Sequence, residues 1–146
     1  MRFWITVLLI FLLVLPLTAC GSANKDENKQ VIMLEGRSGD WEASLRSTYV
    51  TTTTPDKGTL YQSLTIRYIG KEPLVQKFSF AYQDTVDKIS QNDVQTLPSG
   101  VYQVQSQKEN TVAPWDFAKW GRNQANLTIQ FQGQEIALTM IATGRQ

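Results

Sequence analysis

From Val31 onward, apolar and polar side chains alternate with period two, and this constrains the fold more than any other feature of the chain. Successive side chains of a strand point to opposite faces, so alternation means one face in a core and one in water. From Trp41, one face carries Trp41, Ala43, Leu45, Ser47 and Tyr49; the other carries Glu42, Ser44, Arg46 and Thr48. The pattern returns over Thr59 to Ile69, with Leu60, Leu64, Ile66 and Tyr68 set against Tyr61, Thr65 and Arg67. Val75 to Tyr82 sets Phe78, Phe80 and Tyr82 against Lys77 and Ser79. Near the end, Leu127, Ile129 and Phe131 form one apolar row and Ile136, Leu138 and Met140 another, with Gln132-Gly133 as the hairpin turn between them.

Between these strong segments the signals are weaker. Val31 to Leu34 predicts a short apolar strand that ends at a turn through Gly36, Ser38, Gly39 and Asp40. Thr54 to Gly58 and Gly70 to Pro73 carry the proline, aspartate and glycine of tight turns. Asp84 to Gly100 loses its periodicity and reads as one irregular strand. Val101 to Gln107 alternates but is weakly apolar, which predicts an edge strand. Pro114 to Gly121 breaks the pattern with three aromatics and helix punctuation, and predicts one short helical turn before the final hairpin. Seven or so short strands, with turns about every ten residues, predict an all-β domain over residues 31–146. The expected architecture is an antiparallel two-sheet sandwich of immunoglobulin-like type, with a small β-barrel as the alternative.

The first nineteen residues read as an address. Arg2 supplies a positive start, and Phe3 to Leu15 is apolar except for Thr6. The run is short for a membrane-spanning helix, which needs about 20 residues, and fits a secretory signal peptide. Leu17-Thr18-Ala19-Cys20 directly after it resembles the lipobox of bacterial lipoproteins. That resemblance implies a diacylglyceryl group on the Cys20 sulfur and cleavage just before Cys20. Two acyl chains give stable anchoring, at about 0.8 kcal/mol per buried methylene. Gly21 stands where some lipoproteins carry an aspartate that retains them at an inner membrane. Residues 20–30 contain no bulky apolar side chain and read as a flexible tether between lipid and domain. The expected location is the cell membrane, lipid-anchored, on the extracytoplasmic side.

The segment Leu34-Glu35-Gly36-Arg37-Ser38-Gly39-Asp40-Trp41 carries a second resemblance. It is similar to the Gly-x-Ser-x-x-Trp segment that follows the tether in small lipoproteins of Gram-positive, Bacillus-like bacteria. The Leu127 to Ile141 hairpin resembles the end of those chains too. Arg37 departs from their usual glutamate, and Pro114 to Trp120 has no counterpart in the pattern. The resemblance implies an immunoglobulin-like domain on the outer face of the plasma membrane and brings no catalytic residues with it.

Composition excludes several chemistries. The chain has no histidine, hence no Ser-His-Asp or Cys-His nucleophile and no imidazole metal ligand. Its single cysteine, Cys20, is assigned to the lipid, so neither an intrachain disulfide nor a multi-thiolate zinc site is expected. Fourteen basic against thirteen acidic residues leave no basic surface for nucleic acid. Glu35, Asp40 and Glu42, and likewise Asp84, Asp87 and Asp93, lack the spacing of a calcium loop and read as solvated carboxylates. No catalytic residue, metal site or cofactor is expected. Trp115, Phe117 and Trp120 form the one candidate ligand-binding group, because aromatic faces stack on sugars while Asp116, Arg122 and Asn123 bond hydroxyls. The competing reading is that these rings plug an open end of the core, where large aromatics supply much of the buried area. The function expected is a non-catalytic interaction or structural module with an envelope or protein partner. A carbohydrate- or cell-wall-binding module using the Trp115–Trp120 loop is the alternative.

Overall fold

Lys29–Ser38 (β1) and Trp41–Thr51 (β2) form a long antiparallel hairpin, registered from Lys29↔Val50 to Ser38↔Trp41. Its two-residue loop starts with Gly39 at φ 55, a conformation that costs glycine nothing. The computed structural model describes residues 29–51, 57–71 and 73–145. The expected leader, Cys20, most of the tether and the Thr54–Asp56 part of one expected turn lie outside them. Strand β1 begins two residues before the expected Val31: Lys29 and Gln30 extend the backbone ladder although their side chains are exposed. Six further strands follow: Gly58–Tyr68 (β3), Lys77–Gln83 (β4), Lys88–Gln95 (β5), Val101–Thr111 (β6), Gln124–Phe131 (β7) and Gln134–Arg145 (β8). Phe117–Arg122, before β7, is a short 3-10 helix kinked at Lys119. The β7–β8 turn places both Gln132 (φ 50) and Gly133 (φ 75) in the left-handed region, the geometry whose twist matches a tight hairpin.

The eight strands hydrogen-bond into one antiparallel sheet in the order β5-β4-β7-β8-β1-β2-β3-β6. The domain is therefore all-β, and its single, nearly closed sheet corresponds to the barrel alternative and not to two separate sheets of an immunoglobulin-like sandwich. Alternation is identical for the two architectures, because both bury one face of every strand. What curls the sheet is local: register shifts occur at Met33/Leu34 against β8, at Gly58/Leu60 against β6 and at Phe78/Phe80 against β5. Such irregularities bend a strand and increase its twist.

The two edge strands, β5 and β6, face each other across a seam closed by side chains. The Tyr102 hydroxyl donates to Gln91 Oε1, Ser106 Oγ lies 3.3 Å from Asp87 Oδ2, and Lys108 Nζ donates to the Val86 carbonyl at 2.5 Å. Numbers rise on one strand as they fall on the other, so the edges run antiparallel. Both edges also carry a non-glycine residue at positive φ, Asp93 on β5 and Asn110 on β6. Irregular edges of this kind resist pairing with other chains.

The core has two unlike halves. At the end with the two tight hairpins, Trp41 (1% exposed) packs edge-on or tilted against Phe78 at 4.9 Å, Tyr68 at 5.1 Å and Phe131 at 5.3 Å between ring centroids. Leu34, Leu45, Leu64, Ile66, Ile129 and Leu138 fill the space around them. Toward the opposite end the inward positions become polar: Ser47, Gln62 and Thr111 are buried there. Among the described residues no helix is long and apolar enough to cross a membrane; the Phe3–Leu15 run lies outside them.

Candidate functional site

Of the three rings of the expected aromatic site, the structure describes the side chain of Trp115. Trp115 is in the core, 5% exposed, and its indole Nε1 donates to Ser47 Oγ at 2.7 Å. An indole buried and bonded in this way offers no face for a ligand to stack on. The Asn123 side chain binds both backbone groups of Asp116, with Asp116 N donating to Asn123 Oδ1 at 2.9 Å and Asn123 Nδ2 donating to the Asp116 carbonyl at 2.9 Å. This clasp closes the loop around the 3-10 helix. The side chains of Phe117 and Trp120 lie outside the described residues, as does Cys20.

The acidic groups are also sorted differently from the expectation. Asp84 is half-buried and serves as a hub. Its Oδ2 accepts from the Tyr82 hydroxyl at 2.6 Å and from Gln62 Nε2 at 2.7 Å. Its Oδ1 accepts from the backbone N–H of Val86 at 2.7 Å and of Asp87 at 2.6 Å. One carboxylate thus ties the inner face of β3 to the end of β4 and shapes the turn into β5. Burial, then the bond to Asp84, pushes the Tyr82 phenol far above its ordinary range. The hydroxyl is held protonated as a donor, which suits a structural role and not a proton-transfer one. Asp93 sits apart, on the irregular edge of β5, where its N–H donates to Ser79 Oγ. Glu42 pairs with Arg37 at 3.7 Å on the surface. Among the described residues, no group of three or more acidic or cysteine side chains is placed to hold a metal ion.

The surface that emerges from the registers is the outer face of β1, β2, β3 and β6. Directly paired residues share a face, so the outward positions run from Lys29–Val50–Thr59 at one end through four rows that β6 shares. These four are Val31–Thr48–Tyr61–Gln107, Met33–Arg46–Ser63–Gln105, Glu35–Ser44–Thr65–Gln103 and Arg37–Glu42–Arg67–Val101. Lys29 stands on the same outward face of β1, Glu35 and Glu42 bring two carboxylates to the rows, and Val31 is covered, 4% exposed. Their β2 and β3 positions are serine, threonine, arginine, Glu42 and one tyrosine, with three glutamines on the edge strand β6, and Tyr61 is 43% exposed. Two open concavities lie on this face. One, of about 530 Å³, is bordered by Glu35, Arg37, Glu42, Arg67 and the exposed Ile141. The other, of about 390 Å³, lies over Arg46, Thr48, Tyr61, Ser63, Gln105 and Gln107. The alternation of each strand was legible in the sequence, but the rows depend on register, which a single sequence does not state.

No family model, curated protein or solved structure matches the chain. The resemblance of its leader and of Gly36 to Trp41 to lipoproteins therefore stands on those residues alone.

Proposed function

We propose that this chain is a lipid-anchored domain on the extracytoplasmic side of a cell membrane, held through Cys20, which presents the outer face of β1, β2, β3 and β6 to an envelope or protein partner without catalysing a reaction. The observation that carries the reading is the lipobox-like segment directly after the apolar leader; the described surface supplies polar and charged outward rows, with Tyr61 exposed among them, for a partner to meet. The lipobox-like Leu17-Thr18-Ala19-Cys20 supplies the anchor, with eight residues between Cys20 and the first residue of β1 at Lys29. A segment of that length keeps the domain close to the lipid surface. The chain has no histidine, which removes the Ser-His and Cys-His pairs and supports the non-catalytic part.

Anchoring has a direct test. Cells expressing the full chain are fed a fatty-acid analogue carrying a clickable tag. The native chain takes up label and fractionates with membranes. Cys20→Ala carries no label and keeps its leader. Label retained on the Cys20→Ala chain overturns the assignment.

A further inference from the structure

We propose that the end of the barrel at which the tether enters rests on an anionic phospholipid surface, so that the two tight hairpins point away from the membrane. The proposal rests on the reading of Cys20 as the lipid-bearing residue, and gives the anchored domain an orientation and a second, electrostatic contact. Two observations carry it: where the tether joins the fold, and how the fold sorts its charges.

The registers place the tether junction at one rim. Lys29 pairs with Val50, next to Thr51, Gly58 and Thr111 at the ends of β2, β3 and β6. The turn from Gln83 to Lys88 and the start of β7 lie at the same rim, because Gln83 pairs with both Lys88 and Asn126. The 3-10 helix leads directly into β7 and belongs there too. Eight residues separate Cys20 from Lys29. A chain of that length spans about 15 Å on average, whereas strands such as β2 and β3 are about 35 Å long. The anchor therefore holds this rim beside the headgroups and the hairpin rim well beyond them.

Charge follows the same axis. The chain as a whole is nearly balanced. Yet Lys29, Lys57, Lys88, Lys108, Lys119 and Arg122 are all exposed in the half that holds the tether junction. Among the described residues four carboxylates share that half, each engaged by the protein itself. Asp84 takes its four donors, and Asp87 accepts from Lys88 N at 2.9 Å. Glu109 accepts from Gln107 Nε2, and Asp116 lies 4.0 Å from Lys119 Nζ. The hairpin half reverses the balance: Arg37, Arg67, Lys71 and Lys77 stand with Glu35, Asp40, Glu42, Asp93 and Glu135. A basic side chain near an anionic leaflet favours contact about fivefold and a carboxylate opposes it, so an excess of two cations favours contact more than about tenfold. The tether makes the encounter intramolecular, so this preference suffices to orient the domain.

The test uses the full chain, purified from membranes with its lipid and reconstituted into phosphatidylcholine vesicles with or without phosphatidylglycerol. Val112→Cys places a reactive thiol at the tether rim, where Val112 is 52% exposed, and Gln134→Cys places one beside the β7–β8 turn. Each carries a fluorophore that a lipid with a spin-labelled headgroup quenches on contact. In anionic vesicles the fluorophore on the Val112→Cys chain is quenched severalfold more than that on the Gln134→Cys chain. Omitting phosphatidylglycerol reduces this contrast severalfold, as does salt at about 1 M, where the screening length is about 3 Å. The combined Lys29→Gln, Lys88→Gln and Arg122→Gln chain loses the contrast to the same degree. Arg37→Gln, Arg67→Gln and Lys71→Gln together leave it unchanged. Melts show whether either combined variant is misfolded, and the lipid and salt arms, read on chains that keep every basic residue, decide if one is. Equal quenching at the two rims overturns the proposal. So does a contrast that lipid charge and salt leave intact, because tether length alone then sets the orientation. The anchoring reading is scored separately: the parent chain takes up a thiol-reactive dye only if Cys20 carries no lipid. In that event anchoring is overturned, and the quenching contrast, read on a Cys20→Ser background, still decides whether the basic rim meets anionic lipid.

Discussion

Asp84 shows how much of this domain rests on single polar side chains. Four donors converge on its two oxygens, two of them from the buried side chains of Tyr82 and Gln62. A buried donor left without a partner costs about 1–3 kcal/mol, so the network stabilises only when complete. Part of it was legible. Gln62 interrupts the inward row Leu60, Leu64, Ile66, and a polar residue at a core position announces a partner somewhere. Asp84, two residues after the last inward residue of β4, suits a turn in which its side chain takes backbone N–H groups further on. The pairing of the two was not legible, because they are brought together by the curvature of the sheet. The network makes a prediction at alkaline pH. Tyr82 holds its proton in the folded state well above its ordinary value of 10.0, whereas the unfolded chain releases it near that value. Above pH 10 the unfolded state therefore binds fewer protons than the native one. The stability due to Tyr82 is fully present below pH 10 and is lost as pH rises beyond it, by about 1.4 kcal/mol per pH unit. Urea melts of the native chain and Tyr82→Phe between pH 9 and about 11.5 measure this. The variant is less stable at neutral pH, having lost the bond to Asp84, but its alkaline slope is shallower. Equal slopes would show that the Tyr82 proton is not held by the fold.

At the scale of elements, period-two reasoning placed the strong strands on the correct faces. Trp41, Ala43, Leu45, Ser47 and Tyr49 are all buried, as are Phe78, Phe80 and Tyr82. The expected edge strand over Val101 to Gln107 is indeed an edge, β6, because a strand paired on one side only needs less apolar surface. The short helical segment also lies where proline and glycine punctuation put it, at Phe117–Arg122. Left open between core plug and ligand contact was the orientation of Trp115, which the structure buries. Tryptophan in a loop carries no periodicity to reveal its facing, and its partner, Ser47, is a small polar gap in the inward row of a distant strand. The facing of β2 yields a direct comparison. Trp41→Ala removes the ring at the centre of the aromatic half of the core and is expected to destabilise by about 3–5 kcal/mol. Its neighbour Glu42 points to solvent and makes one exposed pair with Arg37, so Glu42→Ala should cost less than about 1 kcal/mol. Denaturant midpoints of the two variants decide the matter: similar shifts would mean that β2 is registered one residue away from the described pairing.

For the whole molecule, the question that alternation leaves open is closure. Sandwich and barrel bury the same residues; they differ in whether the sheet is continuous and how its edges meet. Here the edges meet along β5 and β6 through side chains. Gln91, Asp87 and the Val86 carbonyl on one side reach Tyr102, Ser106 and Lys108 on the other, while Phe78 and Phe80 of β4 touch the Tyr102 ring at 5.7 Å. Side-chain bridges of this kind are each worth about 1 kcal/mol, less than a cooperative backbone ladder supplies. The seam should therefore be the first part of the barrel to open. Local opening exposes amides to hydrogen exchange before global unfolding does. The expected pattern is fast exchange in β5, intermediate exchange in β6, which keeps its ladder with β3, and slowest exchange in β1, β2 and β8 at the middle of the sheet. Tyr102→Phe separates the contributions, because it removes the bond to Gln91 and keeps the ring against Phe78 and Phe80. It should accelerate exchange in β5 severalfold, consistent with a loss of about 1 kcal/mol, and leave β1 and β2 unchanged. Hydrogen exchange read by mass spectrometry on the two chains makes the comparison. Uniform protection across all eight strands would show that β5 and β6 share a backbone ladder in solution, and that the barrel is closed more firmly than its side-chain seam implies.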